Sequence, residues 1–174
     1  MGLPGRVASF DGLVLVHLDA AYNLARWLTR NEHDAQEVVQ DACIRAMRAF
    51  DAFHGGDARA WLLTIVRNVA LTMVRTRKRP EELDEGLYEP QAEALDPQAI
   101  LLRSADAERV RDAIEQLHVE LRTVIVLREM DGLSYKEIAG ITGVPIGTVM
   151  SRLSRGRQRL AEALAEPKEP GVSP

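Results

Sequence analysis

Thr148, Ser151, Arg152, Ser154, Arg155, Arg157, Gln158 and Arg159 gather polar and guanidinium groups within twelve consecutive positions. Among them Val149, Leu153, Gly156, Leu160 and Leu164 recur every three or four residues, so a single helix would carry the two sets on opposite faces. One face buries, and the other is polar and cationic. Between Asp131 and Glu162 the only acid is Glu137, so nothing on that face cancels its charge. A guanidinium can meet a phosphate or pair with both major-groove acceptors of guanine, and serine and glutamine suit either role. The chemistry on offer is recognition of nucleic acid.

An arginine-rich helix alone is most simply a solvated face. The residues before it make that reading insufficient. Ser134-Tyr-Lys-Glu137 has the spacing of a capping box, in which the serine hydroxyl and the glutamate carboxylate satisfy each other's backbone N–H groups. The short helix it opens carries small Ala139 at the crossing, and Gly143-Val144-Pro145 supplies a tight turn before the long helix. A capped short helix, a glycine turn and a longer cationic helix form the helix-turn-helix plan.

A second basic surface precedes it. Residues Arg59–Arg79 hold six basic side chains and no acidic one, with Asn68, Arg75 and Lys78 opposite the stripe Leu62, Ile65, Val69 and Met73. The helix expected over 33–51 differs, with Val39, Ala42, Ala46 and Phe50 inward and Glu37, Gln40, Asp41, Ile44 and Arg48 outward. A mixed stripe with an apolar member suits a protein partner better than a phosphate backbone.

These faces need helices to hold them, and the chain supplies little else. Val14, Leu18, Ala21, Ala25 and Leu28 mark a further helical stripe, and Asp96-Pro97 looks like a helix start ahead of Val110, Ile114 and Leu117. A helix over 120–130 follows, and no segment alternates as a strand. The expected fold is all-α, with two small helical domains at 10–80 and 100–165. They are joined by an acidic linker at 81–99, and a disordered tail is expected over 166–174. With 174 residues, 46% of them hydrophobic and 28% charged, the chain can bury a core. The net charge of −4 conceals an uneven distribution: +3 over 1–80, −7 over 81–99 and balance over 100–174.

Several classes are excluded. Cys43 is the only cysteine, which rules out an internal disulfide and fits a reducing cytoplasm. His17, His33, His54 and His118 lack metal-ligand spacing, and Gly140, Gly143 and Gly147 form no phosphate-binding loop, so an enzyme is not expected and no metal or cofactor is implied. Neither a membrane span nor a secretion signal is expected, and a cytoplasmic location is expected. From the residues alone, a duplex-binding helix-turn-helix regulator with a sensing or dimerising first lobe remains an alternative.

The run from Asp34 to Met47, followed by Ala60-Trp-Leu-Leu-Thr-Ile-Val-Arg-Asn68, resembles the core-binding and promoter-melting domain (region 2) of bacterial sigma factors. Leu133–Ala139 with Val144–Arg157 resembles their C-terminal helix-turn-helix (region 4). Two such domains joined directly resemble the extracytoplasmic-function (ECF) branch. The resemblance implies a protein that binds core RNA polymerase, directs it to specific promoters, helps to melt them, and is held in check by an anti-sigma factor. It implies polymerase contacts to the β′ coiled coil and the β flap, with Asp34, Glu37, Gln40, Asp41, Ile44 and Arg48 on the polymerase-binding surface. It places Phe53, His54, Asp57, Arg59, Arg67, Asn68, Arg75 and Lys78 at the melted minus-ten element. Thr148, Ser151, Arg152, Ser154, Arg155 and Arg159 fall at the duplex minus-thirty-five element, where Arg157 and Arg159 steady the helix or meet phosphate. Met150 stands where relatives often place arginine, which removes one implied contact. The loop from Phe53 to Trp61 is short, and Trp61, beside Leu62, is expected in the core.

Overall fold

The computed structural model describes residues 10–77 and 105–165, and every helix in it follows a local signal. Helix α1 (Leu18–Thr29) buries Ala21, Leu24, Ala25 and Leu28, and a 3-10 turn at Leu15–His17 separates it from the fully buried Val14. The stripe expected to start at Val14 is therefore interrupted. Helix α2 (Glu32–Ala49) starts where Asn31 Oδ1 accepts the Asp34 N–H at 2.9 Å. Its buried face is Ala35, Val38, Ala42 and Ala46, while the expected inward residues Val39 and Phe50 are only partly buried. Helix α3 (Ala58–Arg77) buries Leu62, Leu63, Val66, Val69, Ala70 and Leu71. These three helices pack pairwise into a bundle.

The second lobe contains α4 (Ala105–Glu115), α5 (Val119–Ile125), α6 (Tyr135–Thr142) and α7 (Ile146–Ala165), and α5 runs on as a π-helical turn over Val126–Met130. The capping box is formed: Ser134 Oγ accepts the Glu137 N–H at 3.2 Å, and the Ser134 N–H donates to Glu137 Oε2 at 2.7 Å. Gly143 ends α6 with φ of 69°, a left-handed conformation that glycine enters without a Cβ penalty. Helix α7 crosses α5 at buried Gly156, where a Cβ would stand 2.8 Å from Ile125 Cγ1. No strand occurs among the described residues. The linker at 81–99, the Asp96-Pro97 helix start, Lys78 and the tail at 166–174 lie outside them.

The two lobes are docked. Helix α3 packs on α6, α1 packs on α5, and one apolar core runs through both. Buried Arg122 of α5 sits at the seam. Its Nη1 donates to the carbonyls of Glu115 at 2.7 Å and Leu117 at 3.0 Å, and its Nη2 to that of Leu28 at 3.5 Å. Arg30 Nη1 also donates to the Glu115 carbonyl, at 2.9 Å. One side chain thus satisfies carbonyls at the ends of α4 and α1, groups that a helix terminus leaves without intrahelical partners. Burial, then the neighbouring Arg30 charge, pull the Arg122 pKa down to about 10, so it stays protonated at neutral pH.

Candidate nucleic-acid interface

Helix α7 begins beyond Pro145, whose carbonyl accepts the N–H groups of Thr148 at 2.9 Å and Val149 at 3.1 Å. Val149, Leu153 and Gly156 are buried, which turns Gly147, Ser151, Ser154, Arg155 and Gln158 to solvent. Arg155 and Arg159 are exposed and form no ion pair among the described residues. Unpaired guanidinium groups at an open surface keep their donors for an incoming anion. The Ser151 hydroxyl donates to the Thr148 carbonyl at 3.0 Å, and Thr148 itself is half-buried. Arg157 is tied to Glu129 by two hydrogen bonds of 2.9 and 2.7 Å, bracing α7 against the π-helical turn.

Arg152 is placed differently from the sequence expectation. Its side chain is only 15% exposed and pairs with Glu120 at 2.9 Å. At about 100° per residue it lies well off the axis shared by Ser151 and Ser154, on the flank that turns toward the lobe junction. Arg67 of α3 approaches it there, and burial followed by the Arg152 charge lower the Arg67 pKa. Two cations expected on separate surfaces thus act on one another electrostatically, with Glu120 of α5 as the compensating charge.

In the first lobe the residues implied at the melted strand divide into two groups. His54, Asn68 and Arg75 are exposed. Asp57 is exposed too, but its Oδ1 accepts the Ala60 N–H at 3.1 Å and so caps α3. Phe53 lies tilted 4.8 Å from Trp61 and stacks 6.3 Å from Phe50, while Trp61 packs partly buried against the core. Arg59 reaches across to Asp131, and Arg67 is half-buried at the junction. On α2, Gln40, Ile44 and Arg48 are exposed. Asp34 and Glu37 are both held by Arg77, and Asp41 pairs with Arg45 at 2.9 Å.

Among the exposed apolar residues absent from the candidate set, Met47 and Ile146 lie beside candidate faces. Met47 is 64% exposed beside Ile44 on α2, and extending the 37, 40, 41, 44 stripe by one step would have included it. Ile146 is exposed at the start of α7 next to Met150. The buried Asp131 has no sequence signal, because nothing local distinguishes it from a solvated turn aspartate. The second lobe also has a cleft of about 410 Å³ lined by Ala113, Leu117, His118, Leu121, Arg159 and Ala163 among others.

Comparison with known proteins agrees with this geometry. Residues 13–80 match the family model for Sigma-70 region 2, and residues 107–160 match that for Sigma-70, region 4. The ECF RNA polymerase sigma factor SigE of Mycolicibacterium smegmatis is 39% identical over 160 residues, which cover 91% of this chain and 62% of that protein. The RNA polymerase sigma-H factor of Pseudomonas aeruginosa is 34% identical over 92% of this chain and 88% of its own length. The ECF RNA polymerase sigma-E factor of Escherichia coli K12 is 39% identical over 73% of this chain and 72% of its own length. Among solved structures, the sigma factor RpoE of Bartonella quintana, in complex with the anti-sigma factor NepR, superposes with a TM-score of 0.75 at 32% identity. That match covers 92% of this chain and 99% of that one. CnrH in complex with the cytosolic domain of CnrY gives a TM-score of 0.58 at 27% identity over 92% of this chain and 86% of its own. With a region 2 bundle, a region 4 helix-turn-helix and relatives of this kind, the chain belongs to the extracytoplasmic-function branch of the RNA polymerase sigma factors.

Proposed function

We propose that this chain binds core RNA polymerase through the outer face of α2, reads the minus-thirty-five element with α7 and captures the melted minus-ten strand with the first lobe. The observation that carries the reading is the open cationic face of α7, with Ser151, Ser154, Arg155 and Arg159, on a chain whose other lobe exposes Ile44, Met47 and Arg48. A duplex-facing surface and a protein-facing surface on opposite lobes let one molecule bridge polymerase and promoter. The work is binding rather than catalysis, as in a family of initiation factors, and its site is the cytoplasm, where polymerase acts.

Strand capture needs more surface than the docked lobes offer. Arg59 and Arg67 point into the junction between α3 and α6, so a strand reaching them requires the lobes to part. The open lobes would also free Arg152 for phosphate or base. The second-lobe cleft, which sets Ala113, Leu117, Leu121 and Ala163 beside Gln116, His118, Arg159 and Glu162, suits an amphipathic helix such as the tip of the β flap. An anti-sigma factor that favours the docked lobes fits the same picture, since the neighbour from Bartonella quintana was solved with one.

Transcription in vitro with purified core polymerase and a pool of genomic promoter fragments tests the reading. Promoter-specific initiation that depends on this chain supports it. Folded protein that binds duplex DNA yet adds no initiation would return the chain to the reading of a helix-turn-helix regulator.

A further inference from the structure

Met150 is 52% exposed and Ile146 45% exposed on a helix whose other exposed side chains from Ser151 to Arg159 are polar or cationic. Ile146, Met150 and Ser154 follow one another at i, i+4 and i+8, forming a ridge beside the parallel ridge of Gly147, Ser151 and Arg155. The apolar pair sits in the first two turns of α7, the part of a recognition helix that enters a major groove. Arg152, two positions on and about 200° round the axis, is the residue that faces the lobe junction, so the ridge looks away from it.

We propose that Met150, seconded by Ile146, is a specificity-determining residue that reads the 5-methyl group of thymine in the minus-thirty-five duplex. The proposal rests on the placement of α7 in that duplex, and it assigns a base preference to residues outside the cationic set. The partner class follows from charge. Arg155, on the parallel ridge, forms no ion pair among the described residues, and no acidic side chain occurs on α7 before Glu162, so a polyanion is the surface that brings this helix into contact.

The base follows from groove chemistry. Major-groove edges present hydrogen-bond donors and acceptors on adenine, guanine and cytosine, and only thymine adds a methyl group. A thioether or an isoleucine against the other edges would strip water from polar atoms without replacing their hydrogen bonds. Against a methyl group, both surfaces leave water together. Methionine is unbranched and polarisable, which lets it follow a small irregular protrusion.

Deoxyuridine removes the methyl group and leaves every hydrogen-bonding atom, so it isolates this contact. Holoenzyme reconstituted from core polymerase and the full chain would select duplexes from a pool randomised across the upstream promoter element. Each thymine in the selected sequence would then be replaced singly by deoxyuridine. Burial of one methyl group corresponds to about a fourfold change in affinity, so wild-type holoenzyme should lose about that factor at one or two thymines. Met150→Ala holoenzyme should bind the thymine and deoxyuridine duplexes equally at that position, and Ile146→Ala should reduce the difference at an adjacent one. Helical content and core-polymerase binding of each variant are measured alongside, so a misfolded variant is recognised and replaced by Met150→Gln. Selection of a sequence with no penalty for deoxyuridine at any thymine overturns the inference while leaving duplex reading by α7 intact. A penalty that survives in both variants does the same. If no sequence is enriched at all, the reading of the site falls, and the inference falls with it.

Discussion

Arg59 of α3 donates through Nη2 to the main-chain carbonyl of Asp131 at 3.2 Å and lies 3.6 Å from its carboxylate, fastening α3 to the turn that precedes the helix-turn-helix. The Asp131 side chain is only 7% exposed and its Oδ2 has no hydrogen-bond partner. The same contact withdraws Arg59 from the surface proposed to capture a single strand.

Burial raises the Asp131 pKa, and the opposing effects of Arg59 and Asn23 do not cancel it. A carboxyl whose folded pKa lies above its unfolded value contributes stability below the unfolded pKa and loses it as pH rises through the folded one. The difference in unfolding free energy between wild type and Asp131→Asn should therefore fall as pH rises through and just above the ordinary carboxylate range, then level off. Urea unfolding of both proteins across that range checks the slope, and a difference that rises with pH would show that Arg59 dominates.

Arg122 cannot be removed without stranding the Leu117 and Leu28 carbonyls, while that of Glu115 keeps Arg30 as a donor. Arg122→Ala should destabilise the chain by about 3 kcal/mol, because buried acceptors at two helix ends lose their donor. Arg122→Lys should recover only part of this, since one ammonium cannot match the spread of Glu115, Leu117 and Leu28. Equilibrium denaturation gives both values. A distance probe between α1 and α5 should also report wider separation in the alanine variant.

Gly156 is set by close approach to Ile125. A Cβ there would meet Ile125 Cγ1 at 2.8 Å and Cδ1 at 3.0 Å. Gly156→Ala should cost about 1–3 kcal/mol by forcing α7 away from α5. Adding Ile125→Ala makes room, so the double variant should be more stable than the sum of the two single losses predicts. Strict additivity would mean that the helices adjust without touching.

The two proposed interfaces should separate by mutation. Arg155→Ala removes an exposed cation that has no ion pair among the described residues, so stability should change by less than about 0.5 kcal/mol. Promoter binding should weaken, with a salt dependence shallower by about one phosphate equivalent. Ile44→Asp and Met47→Asp should leave that duplex term alone and reduce binding to core polymerase, because they put charge into the apolar centre of the α2 face. Parallel loss of both activities in either variant would mean the faces are assigned wrongly. Fluorescence titration against core polymerase and duplex measures each.

Much of the molecule is written locally. The Ser134–Glu137 box, the turn at Gly143 and the burial of Val149, Leu153 and Gly156 against open Ser151 and Arg155 all follow from spacings of one to four residues. A helix fixes such spacings through its own geometry, whatever it packs against. Family motifs were legible for the same reason, since they are runs on single helices. What the tertiary structure decided is the meeting of residues far apart in the chain. Arg59 and Asp131 are 72 positions apart, and Arg122 and Leu28 are 94. Periodicity says which face of a helix is apolar but not which other face will cover it. Docking of α3 on α6 therefore drew Arg59, Arg67 and Arg152 from their expected open surfaces to the lobe junction, while Arg155 and Met150 stayed in solvent.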